Sequence, residues 1–231
     1  MDSLGENFYC RIRGTFFVAG QIQLVVDGMT ASGKSTLVEL LASELHLKIM
    51  PELFNDPFEL LKRYAYNAKW CLPMQLNFLV TRYSQYLVAS EANEYILDRS
   101  IFSDKVYADM YYEMKHLDRQ QYETYVQLHD SLIERLPAPQ CMIFLTCSFE
   151  EVMRRIVRRG REFEIHQGEG YWRTLFAAYE RHIARVMEQN PQGHYLLINS
   201  QEANYASDPS DRARLVAKVK AALDSGRAVT A

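Results

Sequence analysis

The chain lacks the features of a membrane protein and of a protein that works on nucleic acid. None of its apolar runs approaches the roughly 20 residues that a membrane-spanning helix requires. It has no basic surplus either, because 26 Lys and Arg are set against 29 Asp and Glu, for a formal net charge of −3. A basic surplus is typical of proteins that bind nucleic acid. We therefore expect neither a membrane nor a nucleic acid among its partners.

Cysteine is also scarce, with 4 residues in a chain of 231. Cys10, Cys71, Cys141 and Cys147 contain no C-x-x-C pair, which argues against a zinc or redox site. The first residues fit neither a secretory signal peptide nor a clear transit peptide. Free thiols suit a reducing compartment. We predict a cytoplasmic protein and leave a mitochondrial or viral setting open.

One stretch has a glycine pattern that binds phosphate. Gly28 to Thr36 fits glycine, four residues, then Gly-Lys-Ser/Thr. A β-branched apolar run at 22–26 precedes it, and apolar residues at helical spacing over 37–45 follow it. The glycines therefore lie in a strand-to-helix turn, which is the context that the motif requires. The alternative is a chance match in a glycine turn.

The chemistry of this loop follows from its backbone. Gly28 and Gly33 allow N–H groups to point inward around an anion, and the helix N-terminus adds a partial positive charge. Lys34 can reach the β- and γ-phosphates, and the hydroxyl of Ser35 can bind Mg²⁺. The stretch predicts a site for ATP and Mg²⁺ formed by Gly28, Met29, Thr30, Ala31, Ser32, Gly33, Lys34, Ser35 and Thr36.

The remaining periodicities predict alternating strands and helices. Strands are expected at 22–26, 47–52, 94–100, 141–146 and 195–199, and helices at 37–46, 57–67, 72–90, 101–114, 118–136, 149–159, 170–188 and before 223. Asp56 is expected to cap the second helix, with Pro57 at its first position. The alternation predicts an α/β fold of the P-loop NTPase type, with a five-stranded parallel sheet flanked by helices. We divide the chain into an N-terminal extension, 1–20, and a single domain, 21–231.

Two acidic residues end predicted strands on the side of the phosphate loop, where ligands of open α/β sheets bind. Glu52 follows the second strand and is either a general base or a solvent-facing loop residue. Asp98 ends the third strand, where P-loop enzymes orient Mg²⁺, often through water. Arg99 beside it is a candidate partner for phosphate or for Glu52.

The predicted helix 72–90 places Gln75, Phe78 and Arg82 on one face. Polar groups on a partly apolar face need partners. Either a bound ligand supplies them, or the side chains reach water at the edge of the apolar stripe.

Five arginines lie within the eight residues 154–161. Cations at a helix C-terminus offset the helix dipole, and Gly160 is a usual C-cap. The alternative is an arginine lid that closes on the triphosphate, since a transferring phosphoryl group needs cations around it. The presence of a phosphate loop favours the lid.

In order and spacing, these stretches resemble the deoxyribonucleoside kinase family, which groups deoxycytidine, deoxyguanosine and mitochondrial-type thymidine kinases with bacterial and viral members. The resemblance runs from about residue 21 to 223. It is carried by 28–36, Pro51-Glu52, Trp70 with Gln75 and Arg82, Asp98-Arg99-Ser100 with Asp104, and Arg155 to Arg161.

The resemblance implies ATP-dependent 5′-phosphorylation of a deoxyribonucleoside, in nucleotide salvage, with three catalytic residues. Glu52 would accept the proton of the 5′-hydroxyl, Arg99 would hold Glu52 and contact phosphate, and Lys34 would bind the phosphates. Asp98 would help Ser35 to place Mg²⁺.

The resemblance also implies how the substrates are held. Gln75 would bind the edge of the base, and Trp70 and Phe102 would enclose the nucleoside. Tyr64 and Glu164 would bind its 3′-hydroxyl. The lid would bring Arg155, Arg159 and Arg161 to the phosphates, the loop 201–205 would contact the donor's base, and a homodimer would form through the long helices.

Base choice depends on three positions. Arg82 and Asp104 match an Arg and an Asp of the deoxycytidine- and deoxyguanosine-type members, whereas thymidine-accepting members are uncharged there. Phe78 stands where some relatives have a small residue, which narrows the pocket. We predict deoxycytidine or a purine deoxynucleoside as the acceptor. The alternatives are a thymidine-preferring or broad-specificity kinase, a thymidylate-type monophosphate kinase, and a non-catalytic nucleotide-binding regulatory module.

Overall fold

Five parallel strands form the centre of the molecule, in the order β2-β3-β1-β4-β5. The computed structural model describes residues 22, 24–53, 55–189 and 194–227, so the predicted extension lies outside the described residues. The strands are β1 Leu24–Gly28, β2 Lys48–Met50, β3 Tyr95–Asp98, β4 Cys141–Thr146 and β5 Tyr195–Asn199. Each neighbouring pair is parallel. The predicted five-stranded parallel sheet is confirmed.

Helices cover both faces of this sheet. They are α1 Lys34–Leu45, α2 Leu60–Tyr66, α3 Cys71–Ala92, α4 Asp104–Glu113, α5 Arg119–Ile133, α6 Phe149–Arg159, α7 Glu162–His166, α8 Glu169–Gln189 and α9 Pro209–Arg227. Alternate side chains of the inner strands β1, β3 and β4 enter one of two cores, as a strand buried on both faces requires. Helices α1 and α9 close the core that contains Leu24 and Val26, and α3, α4 and α8 close the core that contains Val25. In the described ranges, no helix has the length and apolar character needed to cross a membrane.

The helix predicted at 57–67 begins later than expected. α2 starts at Leu60, and Pro57 lies in a turn before it rather than at its first position. The carboxylate of Asp56 accepts the backbone N–H groups of Leu60 and Leu61 at 2.6 and 3.0 Å. Asp56 is therefore a cap, as predicted, but it acts across a turn in which Glu59 is left-handed, with φ 53°.

The segment that carries the arginine cluster matches its prediction more closely. Ser148 caps α6 through the N–H of Glu151 at 3.2 Å, and Gly160 ends it with φ 68°. The short helix α7 that follows was not predicted. A helix of five residues is too short to show a helical period, so its sequence carries no signal for it.

Candidate functional site

The phosphate loop is held from behind by a buried carboxylate. Asp27 accepts the N–H of Gly28 at 2.6 Å and the hydroxyl of Ser103. Lys34 donates to the carbonyls of Gly28 and Met29 at 3.0 and 2.9 Å. Burial, followed by the nearby charge of Arg99, lowers the pKa of Lys34 to about 8. An anion in the loop would oppose both effects, because it favours the charged ammonium.

The two predicted metal-binding residues lie together. The hydroxyl of Ser35 donates to Oδ2 of Asp98 at 2.7 Å. The other carboxylate oxygen of Asp98, Oδ1, is buried and has no hydrogen-bond partner among the described residues. Hydroxyl and carboxylate oxygens are the ligands that Mg²⁺ prefers in proteins, so this pair fits the predicted ion.

Glu52 lies at the same edge of the sheet, between two arginines. It forms an ion pair with Arg82, and Nε of Arg99 is 3.1 Å from its Oε1. Burial favours the neutral form of Glu52, but the charges of Arg99, Arg82 and Lys34 outweigh it and lower the pKa to about 2. The predicted pairing of Glu52 with Arg99 is present, and the carboxylate stays ionised at neutral pH.

Arg82 joins Glu52 to a second, fully buried carboxylate. Its guanidinium bridges Glu52 and Asp104, and it lies 4.8 Å from the centre of the Phe78 ring. Asp104 does not line the cavity described below but lies behind Arg82. Nε of Arg82 is buried without a hydrogen-bond partner in the described part of the chain.

A cavity of about 610 Å³ brings most of the predicted acceptor residues together. The predicted residues that line it are Thr30, Ala31, Lys34, Ser35, Glu52, Gln75, Phe78, Arg82, Asp98, Arg99, Arg159, Arg161 and Glu164. One end is charged by Glu52 and Arg99, and the wall beyond them is aromatic. Such a shape suits a small ligand with a flat ring and a polar end.

Besides Asp104, three predicted acceptor residues do not line this cavity in the structure. The hydroxyl of Tyr64 bonds Nδ1 of His116 at 2.8 Å. Trp70 lies against Arg63 and Lys69, and Phe102 packs edge-on against Tyr86. The proposed contacts of Tyr64, Trp70 and Phe102 with a nucleoside stay predictions.

The sequence analysis missed several wall residues. They include Leu61, Met74, Tyr107, Tyr111, Tyr171 and Trp172. A signal existed for two of them, because Asp104, Tyr107 and Tyr111 follow one another at helical spacing and so share a face of α4. Tyr171 and Trp172 come from the start of α8, and nothing local to them indicates a cavity.

A second cavity, of about 500 Å³, also adjoins the phosphate loop. It is lined by Gly33, Lys34, Ser35 and Thr36, by arginines of α6, and by the loop 200–206. Arg155 connects these parts, since it donates to the carbonyl of Ser32 at 2.8 Å and to the hydroxyl of Ser200 at 2.9 Å. Arg159 lines both cavities. Two ligand spaces therefore meet at Lys34 and Ser35.

The lid arginines are paired with an acid in this structure. Glu164 is buried and holds Arg159 in a two-point ion pair, with Arg161 at 3.6 Å. Met29 and Ser32 of the phosphate loop are buried, and they contribute backbone to the loop rather than side chains to either cavity.

Comparison with known proteins shows which family the chain belongs to. The family model described as deoxynucleoside kinase matches residues 24–224. The chain belongs to the deoxynucleoside kinase family.

Individual relatives agree with the family match. A deoxyadenosine/deoxycytidine kinase of Bacillus subtilis (strain 168) is 31% identical over 166 residues, which is 70% of this chain and 76% of that protein. A deoxyguanosine kinase of the same strain is 26% identical over 202 residues, covering 85% and 95% of the two chains. The deoxyadenosine kinase from M. mycoides with bound dATP has a TM-score of 0.71 at 23% identity, covering 85% of this chain and 98% of that one. As a family member with this fold, the protein is an ATP-dependent deoxynucleoside kinase of nucleotide salvage.

Proposed function

We propose that this deoxynucleoside kinase prefers purine deoxynucleosides as acceptors and uses Mg²⁺-ATP as donor. The meeting of two cavities at the phosphate loop carries the proposal. The 610 Å³ cavity takes the nucleoside, with its 5′-hydroxyl towards Glu52. The 500 Å³ cavity takes the ATP, with the donor base against the loop 200–206.

Glu52, Arg99 and Lys34 carry the transfer in this proposal. Glu52 orients the 5′-hydroxyl and receives its proton as the oxygen attacks the γ-phosphate. Arg99 keeps Glu52 ionised and adds positive charge beside the transferring group, and Lys34 turns from the loop carbonyls to the phosphates. Catalysis comes chiefly from positioning and charge stabilisation, because the transition state of phosphoryl transfer is loose.

Ser35 and Asp98 would hold Mg²⁺, in part through water. The ion would neutralise charge on the donor phosphates. The unpartnered Oδ1 of Asp98 next to the Ser35 hydroxyl supports this assignment.

Arg82 supports the preference for purines. Arg82 lines the cavity, and its buried Nε–H has no partner among the described residues, so it is a donor that a base in the cavity would satisfy. Both purines present N7 as an acceptor, whereas thymine carries a methyl group on the same side of the base. The amide of Gln75 can donate and accept, so it suits adenine, guanine or cytosine. We propose that Glu164 binds the 3′-hydroxyl of the sugar. Tyr64 could bind the same hydroxyl only after it gives up its hydrogen bond to His116.

Replacing the Arg82–Asp104 pair is expected to admit thymidine. Both residues must change, because removal of Arg82 alone would leave a buried carboxylate without a counter-ion. Arg82→Met with Asp104→Ala should raise kcat/KM for thymidine relative to deoxyadenosine and deoxycytidine by roughly tenfold or more. Steady-state kinetics on each nucleoside measure the ratio.

The matched control is Arg181→Met with Glu113→Ala, which removes an exposed ion pair outside the cavity. This control should leave the ratio unchanged. An unchanged ratio in the Arg82–Asp104 variant would mean that this pair does not select the base.

We propose that the protein is a homodimer formed through α3 and α5. These helices pack together and leave Val80, Leu87, Val88 and Leu128 exposed on their outer side. A second copy would cover these side chains. Val88→Glu should shift the molar mass in light scattering from two chains to one, whereas Val157→Glu, on the exposed face of α6, should not.

The buried free thiols Cys71 and Cys141 support a reducing, cytoplasmic setting.

The decisive experiment offers ATP with each of the four deoxynucleosides and with dTMP, and identifies the product. Fast monophosphate formation from deoxyadenosine or deoxyguanosine is the expected result. Thymidine as the best acceptor would reject the proposed preference. Turnover of dTMP alone would reject Glu52 as the residue that faces the acceptor's 5′ end.

A further inference from the structure

Tyr107 contacts both the phosphate loop, at Thr30, and the acceptor side of the site, at Arg99. It lies on α4 and lines the 610 Å³ cavity. Its hydroxyl is 3.3 Å from Oγ1 of Thr30, the third residue of the phosphate loop. Apo hydrogen bonds in active sites are often long and shorten only when substrate is bound.

The ring of Tyr107 lies against the acceptor side. The guanidinium carbon of Arg99 is 5.3 Å from its centre and 5.8 Å from the centre of the Tyr179 ring. The two rings are perpendicular, with centres 6.2 Å apart, and Arg99 also donates to the hydroxyl of Tyr179. Arg99 is thus enclosed by two tyrosines while its Nε faces Glu52.

We propose that Tyr107 is a positioning residue, which fixes the Glu52–Arg99 pair relative to the phosphate loop. Its ring sets the position of Arg99, and its hydroxyl sets the position of Thr30. The distance between the attacking oxygen and the γ-phosphate depends on both. Because reacting atoms must be about 3–3.5 Å apart and aligned, a small displacement between the two halves slows transfer without weakening binding.

The test separates the hydroxyl from the ring. Tyr107→Phe keeps the ring against Arg99 and removes only the contact with Thr30, and Thr30→Val removes the same contact from the other side. Each is expected to lower kcat by about threefold to tenfold with the KM for deoxynucleoside almost unchanged. The double variant should lose no more than the more affected single variant, since both remove one interaction.

Tyr122→Phe is the matched control. It removes a tyrosine hydroxyl that also bonds to α4, through Asp109 at 2.7 Å, but that lies outside both cavities. It should keep wild-type kcat. A raised KM with unchanged kcat in Tyr107→Phe would overturn the inference. Additive losses in the double variant, or an equal loss in Tyr122→Phe, would do the same.

The inference rests on the proposed function, and the same assay tells the two apart. No transfer to any deoxynucleoside by the wild-type protein would overturn the proposed function and this inference with it. Wild-type transfer with full activity in Tyr107→Phe would overturn this inference alone.

Discussion

Glu52→Gln is expected to lower kcat by about a hundredfold to a thousandfold while affinity for the nucleoside stays near wild type. Glutamine keeps the size of the side chain but removes its charge and its ability to take a proton. Arg82 and Arg99 then lose the carboxylate between them. The loss falls on the transition state, in which the 5′-hydroxyl must be oriented and deprotonated, rather than on ground-state binding.

Single-turnover kinetics and nucleoside binding by calorimetry measure the two quantities separately. Glu39→Gln is the control, since Glu39 is an exposed carboxylate that lines the same cavity from α1. It makes the same chemical change without touching the Glu52–Arg99 pair. Near-wild-type kcat in Glu52→Gln would remove Glu52 from catalysis.

The difference in stability between the wild type and Glu52→Gln should also depend on pH, because only the wild type carries the titrating carboxylate. The pKa of Glu52 is lowered from its usual 4.5 to about 2 in the folded protein, because the three nearby cations outweigh burial. A lowered folded pKa stabilises the protein fully above the unfolded pKa, and the effect is lost as pH falls towards the folded one. The difference in unfolding free energy between wild type and variant should therefore be constant above about pH 4.5 and shrink below it.

Local sequence signals account for the parts of the fold that were predicted correctly. The strands β4 and β5 and the helix α6 have the predicted bounds, because an apolar run or a cap and a glycine mark their ends. The phosphate loop is equally local. The grouping of Ser35 with Asp98 and of Glu52 with Arg99 follows from the rule that parallel strands bring their carboxyl ends to one edge.

The remaining parts depend on packing between distant segments. Asp104 was expected to pair with Arg82 next to the base. The pair is present, but Asp104 lies behind Arg82 and outside the cavity lining, because a buried carboxylate is most stable next to a cation. The direction of Tyr64 is set by His116, which comes from the loop after α4. Asp27 was also not predicted as a site residue. Its function depends on the hydrogen bonds that it accepts from the N–H of Gly28 and the hydroxyl of Ser103, and the sequence of an apolar strand does not reveal them.

Gly28→Ala should destabilise the protein more than any other glycine-to-alanine change in the described ranges. Gly28 has φ 145°, a backbone conformation that costs an L-residue about 1–3 kcal/mol. A Cβ atom there would lie 2.5 Å from the carbonyl oxygen of Leu145, and this oxygen cannot retreat because Gly28 and Leu145 are partners in the β1–β4 ladder. We expect a loss of about 3–5 kcal/mol in unfolding free energy and a fall in Tm of about 10 °C.

Two other alanine substitutions separate strain from the clash. Gly33→Ala, at φ 103° with its nearest neighbour at 3.5 Å, adds backbone strain alone and should cost less. Gly170→Ala, with nothing within 4 Å, should be neutral or slightly stabilising, because alanine favours the helix α8. Calorimetric unfolding should rank the three in this order. Equal losses for Gly28→Ala and Gly33→Ala would show that the backbone angle, and not the approach of β4, is the reason for glycine at the start of the loop.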